Sequence, residues 1–298
     1  MNADPTFMRK PRKILLATDL SCRCDRALGR ATLLSKRWHA ALTAIHVLEQ
    51  TVESRDELCM GELPSWRRAP GRAHAAEEQL RTDVLEYVPW AGVIVAAGDP
   101  GRAILGIAEQ HEVDMVVTGV TRTEAFGGLL SGSTVSSLIR RAAVPVLVVK
   151  DKARREYRRI VVATDFAEAS VRVLESALRL FPDTHMTLFR AFETSGVGVP
   201  RNEQSIVQFR RLAEQDARGF LAACASAIDL GDARLDVVIE HGDVGQLLCD
   251  FVRARRVDLV VTGTHGRAAI MEALIGSDAK RLLNVVPCDL MTVRQRPR

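Results

Sequence analysis

Short runs of Val, Ile and Leu alternate along the chain with longer segments whose apolar residues recur every three or four positions. In the first half the runs fall at 13–18, 42–48, 92–97, 114–118 and 144–149. Between them, "SCRCDRALGRATLLSKRW" and "GRAILGIAEQHE" carry helical spacing. The second half gives the same order, with runs at 159–164, 186–192, 235–240, 258–262 and 286–293. Apolar strands bounded by amphipathic helices describe a parallel sheet covered on both faces. Each half therefore reads as a doubly wound α/β unit with a five-stranded parallel sheet. Ligands of such sheets lie at the carboxyl ends of the strands, where the strand order reverses.

The two halves also repeat in detail. "KILLATDL" returns as "RIVVATDF", "VIVAAGDP" as "VVIEHGDV", "VDMVVTG" as "VDLVVTG" and "LLSGST" as "ALIGSD". The offset is 146 at Asp19/Asp165 and 144 at Gly98/Gly242, Gly119/Gly263 and Gly132/Gly276. An offset this constant over four blocks means a tandem duplication. The join falls in the charged stretch "DKARREYRR", which divides the chain into domains 1–152 and 153–298. The final strands of the two copies are apolar and need covering, so they are expected to pair with each other.

Composition narrows the function. The 298 residues are 47% hydrophobic and 26% charged, a globular make-up, and a net charge of +4 does not argue for a nucleic-acid partner. The six cysteines form no CxxC pair and read as reduced thiols. "MNADPTFMRKPRK" has no apolar signal core and no run reaches 18 apolar residues, which gives the expectation of a cytoplasmic protein without a membrane span.

The chemistry concentrates in "TGTHGRAAIMEALIGSDAK". Asp165 ends the first strand of the second copy, Gly263 ends the fourth, and Gly276-Ser277 opens the last helix, expected over 277–285. A helix N-terminus offers free N–H groups to an anion, glycine admits close backbone approach and Ser277 adds a hydroxyl. The stretch reads as a phosphate cradle split between two loops, against the plainer alternative of turn glycines with no ligand.

The spacing Gly263-x2-Gly266-x9-Gly276-Ser277, with "GTHGR" and the closing "PCDLMTVR", resembles the nucleotide-binding motif of the universal stress proteins. The resemblance spans nearly the whole chain as a tandem pair. It implies a Rossmann-like adenine nucleotide-binding fold and ATP as ligand, accompanied by Mg²⁺. It further implies a stress-response role and a built-in dimer of the two domains, and it leaves a homodimer open. It assigns Asp165 to the nucleoside, Ala191 to adenine, and Gly263, Gly266, Gly276 and Ser277 to ribose and phosphates. The matching positions in the first copy are Asp19, Val47, Gly119, Gly132 and Ser133, with Arg122 where the second glycine would stand. Arginine opposes close phosphate approach but could pair with a phosphate. The second copy keeps every glycine, although Asp278 follows Ser277, and is taken as the better site.

Other features have plainer readings. Asp19 and Asp165 suit helix N-caps. His265 reads as a loop histidine, Cys22 and Cys24 as small residues at a helix start rather than metal ligands, and "KARREYRR" as a solvated linker. The sequence has no GxxxxGK[ST] loop and no evident triad. A nucleotide-dependent regulator with at most slow hydrolysis is therefore expected. The alternatives are a weak ATPase or adenylyl-transfer enzyme, and a structural tandem module without nucleotide.

Overall fold

Ile14 and Leu16 pack into one apolar core while Leu15 and Ala17 pack into another. The same alternation holds at Met115 and Val117 against Val116, and at Leu147 and Val149 against Val146 and Val148. Successive side chains of a strand point to opposite faces, so a strand covered on both sides has no solvent face to fill with polar residues. That is why these runs lack the alternating pattern of a half-exposed sheet.

The computed structural model describes residues 11–21, 24–49, 71–120, 133–193, 203–228, 230, 234–264 and 277–294. The first half contains β1 (Lys13–Thr18), α1 (Asp25–Trp38), β2 (Ala41–Leu48), α2 (Arg72–Leu85), β3 (Gly92–Ala97), α3 (Pro100–Gln110), β4 (Met115–Gly119), α4 (Ser133–Arg141) and β5 (Val146–Val149). The second contains β6 (Arg159–Ala163), α5 (Val171–Leu180), β7 (His185–Phe192), α6 (Glu203–Ala227), β8 (Leu235–His241), α7 (Val244–Arg255), β9 (Leu259–Gly263), α8 (Ser277–Val285) and β10 (Asp289–Val293). All ten expected strands are present. The last begins later than its apolar run, because Val286 and Pro287 belong to the turn before it.

The two five-stranded parallel sheets join edge to edge into one ten-stranded sheet, in the order β3-β2-β1-β4-β5-β10-β9-β6-β7-β8. The joint is the expected pairing of the two final strands. It is antiparallel, with Met291 opposite Leu147. These two residues stand 144 apart, so the joint pairs equivalent positions, as a two-fold axis through it requires. Helices α1, α2, α5 and α6 contribute to one core, and α3, α4, α7 and α8 to the core of the other face.

The recurring blocks now have physical reasons. Gly98 and Gly242 adopt φ of 124° and 137°, which glycine alone reaches without strain. Asp99 and Asp243 after them are N-caps, accepting from the Arg102 and Gln246 amides at 2.8 Å. Asp114 accepts from the Arg12 and Lys13 amides at the start of β1, and Asp258 does the same for Arg158 and Arg159 at the start of β6. Each "VD" thus fixes a neighbouring strand.

The linker departs from its solvated reading at one residue. Tyr157 is buried under the Arg30 guanidinium, 3.9 Å from its ring centre, and meets Phe181 edge-on. Its hydroxyl donates to Asp289 at 2.6 Å. An aromatic residue with a buried acceptor within reach does not stay in solvent.

Candidate functional site

The strand order turns back between β1 and β4 in the first half and between β6 and β9 in the second. These are the switch points where a doubly wound sheet opens a crevice. Asp19 directly follows β1 and Asp165 lies two residues beyond β6, while Gly119 and Gly263 end the strands beside them. Val47 and Ala191, both half-buried, lie near the carboxyl ends of β2 and β7, one strand further out. Ser133 and Ser277 open α4 and α8. The fold therefore gathers Asp165, Ala191, Gly263 and Ser277 at one carboxyl edge, and Asp19, Val47, Gly119 and Ser133 at the other. Because β5 and β10 run antiparallel, these edges lie at opposite ends of the sheet. Gly266, Gly276, Arg122 and Gly132 lie outside the described residues, as do His265 and Cys22.

Neither aspartate is an N-cap; Cys24 holds that place before α1. Each carboxylate instead folds its own loop. Asp19 Oδ1 accepts from the Ser21 amide at 2.9 Å, the Ser21 hydroxyl at 2.6 Å and the Cys24 thiol at 3.0 Å. Asp165 Oδ1 accepts from the Ala167 amide and the Ser170 hydroxyl, both at 2.9 Å. Partial desolvation pushes the Asp19 carboxyl upward, but the Ser21 and Cys24 hydrogen bonds outweigh it and hold the pKa below its ordinary value. Burial raises the Cys24 thiol to about 11, so it stays protonated as a donor.

The residue after each aspartate is left-handed although it is not glycine: Leu20 has φ 59° and Phe166 φ 58°. Such a conformation costs on the order of 1 kcal/mol and persists where surrounding bonds impose it. Here the imposing bonds are amide donations to Thr18 Oγ1 at 3.1 Å and Thr164 Oγ1 at 2.9 Å. The Thr-Asp pair of both "ATD" triplets is thus a loop-shaping unit that the aspartates alone did not reveal.

The second half adds Arg190. Its guanidinium donates to the Asp165 carbonyl at 3.0 Å and to Asp216 of α6 at 2.9 Å, and it lies over the Phe166 ring. In the first half His46 holds that place, its Nδ1 3.0 Å from the Thr18 carbonyl. Away from both switch points, two grooves of about 400 and 430 Å³ open at the amino edges, lined by equivalent residues such as Lys13, Thr43 and Val113, and Arg159, Thr187 and Val257. They mark the duplication rather than the crevice. Among the described residues there is no cluster of three or more metal-ligating side chains, and no helix is long and apolar enough to cross a membrane.

Strand order and covering helices define a tandem, doubly wound α/β protein with one switch point per half. The chain belongs to the universal stress protein family, whose model matches twice, at residues 10–150 and 156–294. A universal stress protein of Mycolicibacterium smegmatis is 27% identical over 95% of this chain and 97% of its own length. One from Mycobacterium tuberculosis strain H37Rv is 29% identical over 72% of this chain and 70% of its own. Among solved structures, a universal stress protein of Archaeoglobus fulgidus superposes with a TM-score of 0.66 at 17% identity, covering 95% of this chain and 98% of its own, and so shares the fold.

Proposed function

We propose that this chain binds ATP with Mg²⁺ and acts as a nucleotide-dependent regulator of a stress response, its principal site in the second half. One observation supports the reading: Gly263, where the complete glycine motif begins, ends β9 at the switch point that Asp165 borders, and Ser277, where the motif closes, opens the helix that follows β9. Asp165 would meet the nucleoside, the carboxyl end of β7 near Ala191 the base, and the N-terminus of α8 the phosphates, where unpaired amides and the helix dipole favour negative charge. The chemistry supplied by Mg²⁺ would be charge neutralisation between phosphates. Hydrolysis would be slow at most, since this reading gives no residue a nucleophile's or base's role. ATP occupancy would act by favouring one conformation over another.

Protein purified natively, denatured and assayed for released nucleotide tests the binding. Near-stoichiometric adenine nucleotide supports it, and nucleotide-free protein that also takes up no added ATP refutes it. A Mg²⁺-dependent kcat near the enzyme median of roughly 10 s⁻¹ would refute the regulator reading in favour of an enzyme.

A further inference from the structure

Each half ends in a cation that reaches across the joint. Lys150 follows β5 and Arg294 follows β10, and they are the last residues of the two family matches. The Lys150 ammonium donates to the Leu283 carbonyl at 2.6 Å and the Val286 carbonyl at 2.5 Å, at the carboxyl end of α8. Arg294 donates to the Arg141 carbonyl at 3.2 Å, at the carboxyl end of α4. The last carbonyls of a helix have no partner within it, and a cation there also meets the negative end of the dipole. Each half therefore caps the final helix of the other.

The two caps differ in strength. Lys150 is buried, 5% exposed, and makes two bonds; Arg294 is exposed and makes one. The Lys150 backbone is also pinned. Its amide and that of Asp151 donate to Asp289 Oδ1 at 2.8 and 2.9 Å, and its carbonyl accepts from Arg26 of α1 at 2.5 Å. Val149 beside it pairs with Gly119, at the switch point of the first half. A contiguous chain of contacts thus runs from Gly119, at the first switch point, through Lys150 to the carboxyl end of α8.

We propose that Lys150 is the positioning residue for α8, so that the first half sets how well ordered the phosphate-facing helix of the second half is. The inference rests on the nucleotide reading above only for its effect on ligand; the tether itself is a property of the unliganded chain. Linkage makes the dependence reciprocal: ATP that orders α8 also tightens the joint.

Peptide-resolved hydrogen exchange on the full chain, with and without ATP and Mg²⁺, tests it. Lys150→Met should speed exchange in α8 about tenfold, the scale of a charge held at a helix end away from solvent, and leave α4 unchanged. Arg294→Met should do the reverse with a smaller effect. Lys150→Gln, which keeps a neutral donor, should fall between Lys150→Met and the unaltered chain, and it carries the test if Lys150→Met does not fold. ATP-induced protection of α8 should require more ATP in Lys150→Met than in the unaltered chain. Exchange in α8 within twofold of the unaltered chain, or equal loosening of α4 and α8, would overturn the tether. Loosened α8 with unchanged ATP dependence would overturn its claim on the ligand. An unaltered chain whose α8 and Asp165 loop show no response to ATP would refute the nucleotide reading instead, while the exchange of the unliganded variants still decides the tether.

Discussion

The two halves share their strands and strand order but not their chemistry. Asp19 gathers Ser21 and Cys24 where Asp165 gathers Ala167 and Ser170; His46 stands where Arg190 joins Asp216; Pro145 stands where Asp289 organises the joint. The conserved part of the duplication is what any copy needs in order to fold: "VD" residues that fix strand starts, "GD" pairs that start helices, and left-handed residues after each aspartate. The divergent part lies at the carboxyl edges and at the joint, where only one copy need do a given task. A duplicated site is free to specialise, and the second half has kept the full set of glycines.

The sharpest way to break the equivalence is at the joint. Asp289 is fully buried and serves Lys150, Asp151, Tyr157 and Arg30, the last with Nε 3.3 Å away. Asp289→Ala leaves a buried guanidinium and a phenol without their carboxylate, and should lower unfolding free energy by about 3–5 kcal/mol in denaturant titration. Pro145→Ala, at the equivalent position of the first half, should cost about 1 kcal/mol or less. Equal costs would show the joint to be symmetric after all.

The next largest difference belongs to the glycines. Gly276→Val places a side chain in the proposed phosphate path and should remove a charge-assisted hydrogen bond of about 1.5–3 kcal/mol, so the dissociation constant for ATP should rise about tenfold or more. Gly132→Val in the first copy should leave the tight site unchanged. Asp165→Ala should weaken adenosine and ATP alike, by about tenfold, because it acts on the nucleoside and not on the phosphates.

The smallest expected effect is on pH dependence. Burial raises the thiols of Cys24 and Cys224 from 9.0 to about 11, pushes Cys288 higher and raises Tyr157 well above 10.0. Groups whose folded pKa is raised contribute stability that is fully present below the unfolded value and is lost as pH climbs through the folded one. Lys150 opposes this: burial lowers it from 10.5 to about 8, partly offset by Cys288, Asp289, Asp151 and Cys249, so its contribution rises between pH 8 and 10.5. Four groups against one give a net loss, on the order of 1 kcal/mol between pH 9 and 10. The denaturant midpoint should fall over that interval; a rising midpoint would mean Lys150 dominates.

Much of the fold was legible because both faces of the sheet are covered at its inner strands, which makes runs such as β1, β4, β5 and β9 largely apolar, and because duplication supplied each of these signals twice. The pairing of the final strands was legible from their apolar edges. The joint's polar network was not, since Tyr157 sits in a run of charges that reads as solvent-facing, and Asp289 sits in a strand with nothing nearby in sequence to pair with it. Its partners come from α1, β5 and the linker, and only the two-fold packing assembles them. At the carboxyl edges, the placement of Asp19 and Asp165 just beyond the first strand of each half was legible. Their loop bonds to Thr18, Cys24, Thr164 and Ser170 were not, because hydrogen bonding across two to five residues leaves no periodicity.

On the proposed reading the two carboxyl edges have diverged, and the second holds ATP. Calorimetric titration of ATP and Mg²⁺ into the full chain, its Asp19→Ala variant and its Asp165→Ala variant tests this most directly. One tight site per chain is expected, retained in Asp19→Ala and weakened about tenfold in Asp165→Ala. A tight site lost in Asp19→Ala and retained in Asp165→Ala, or no binding to any of the three, would contradict it.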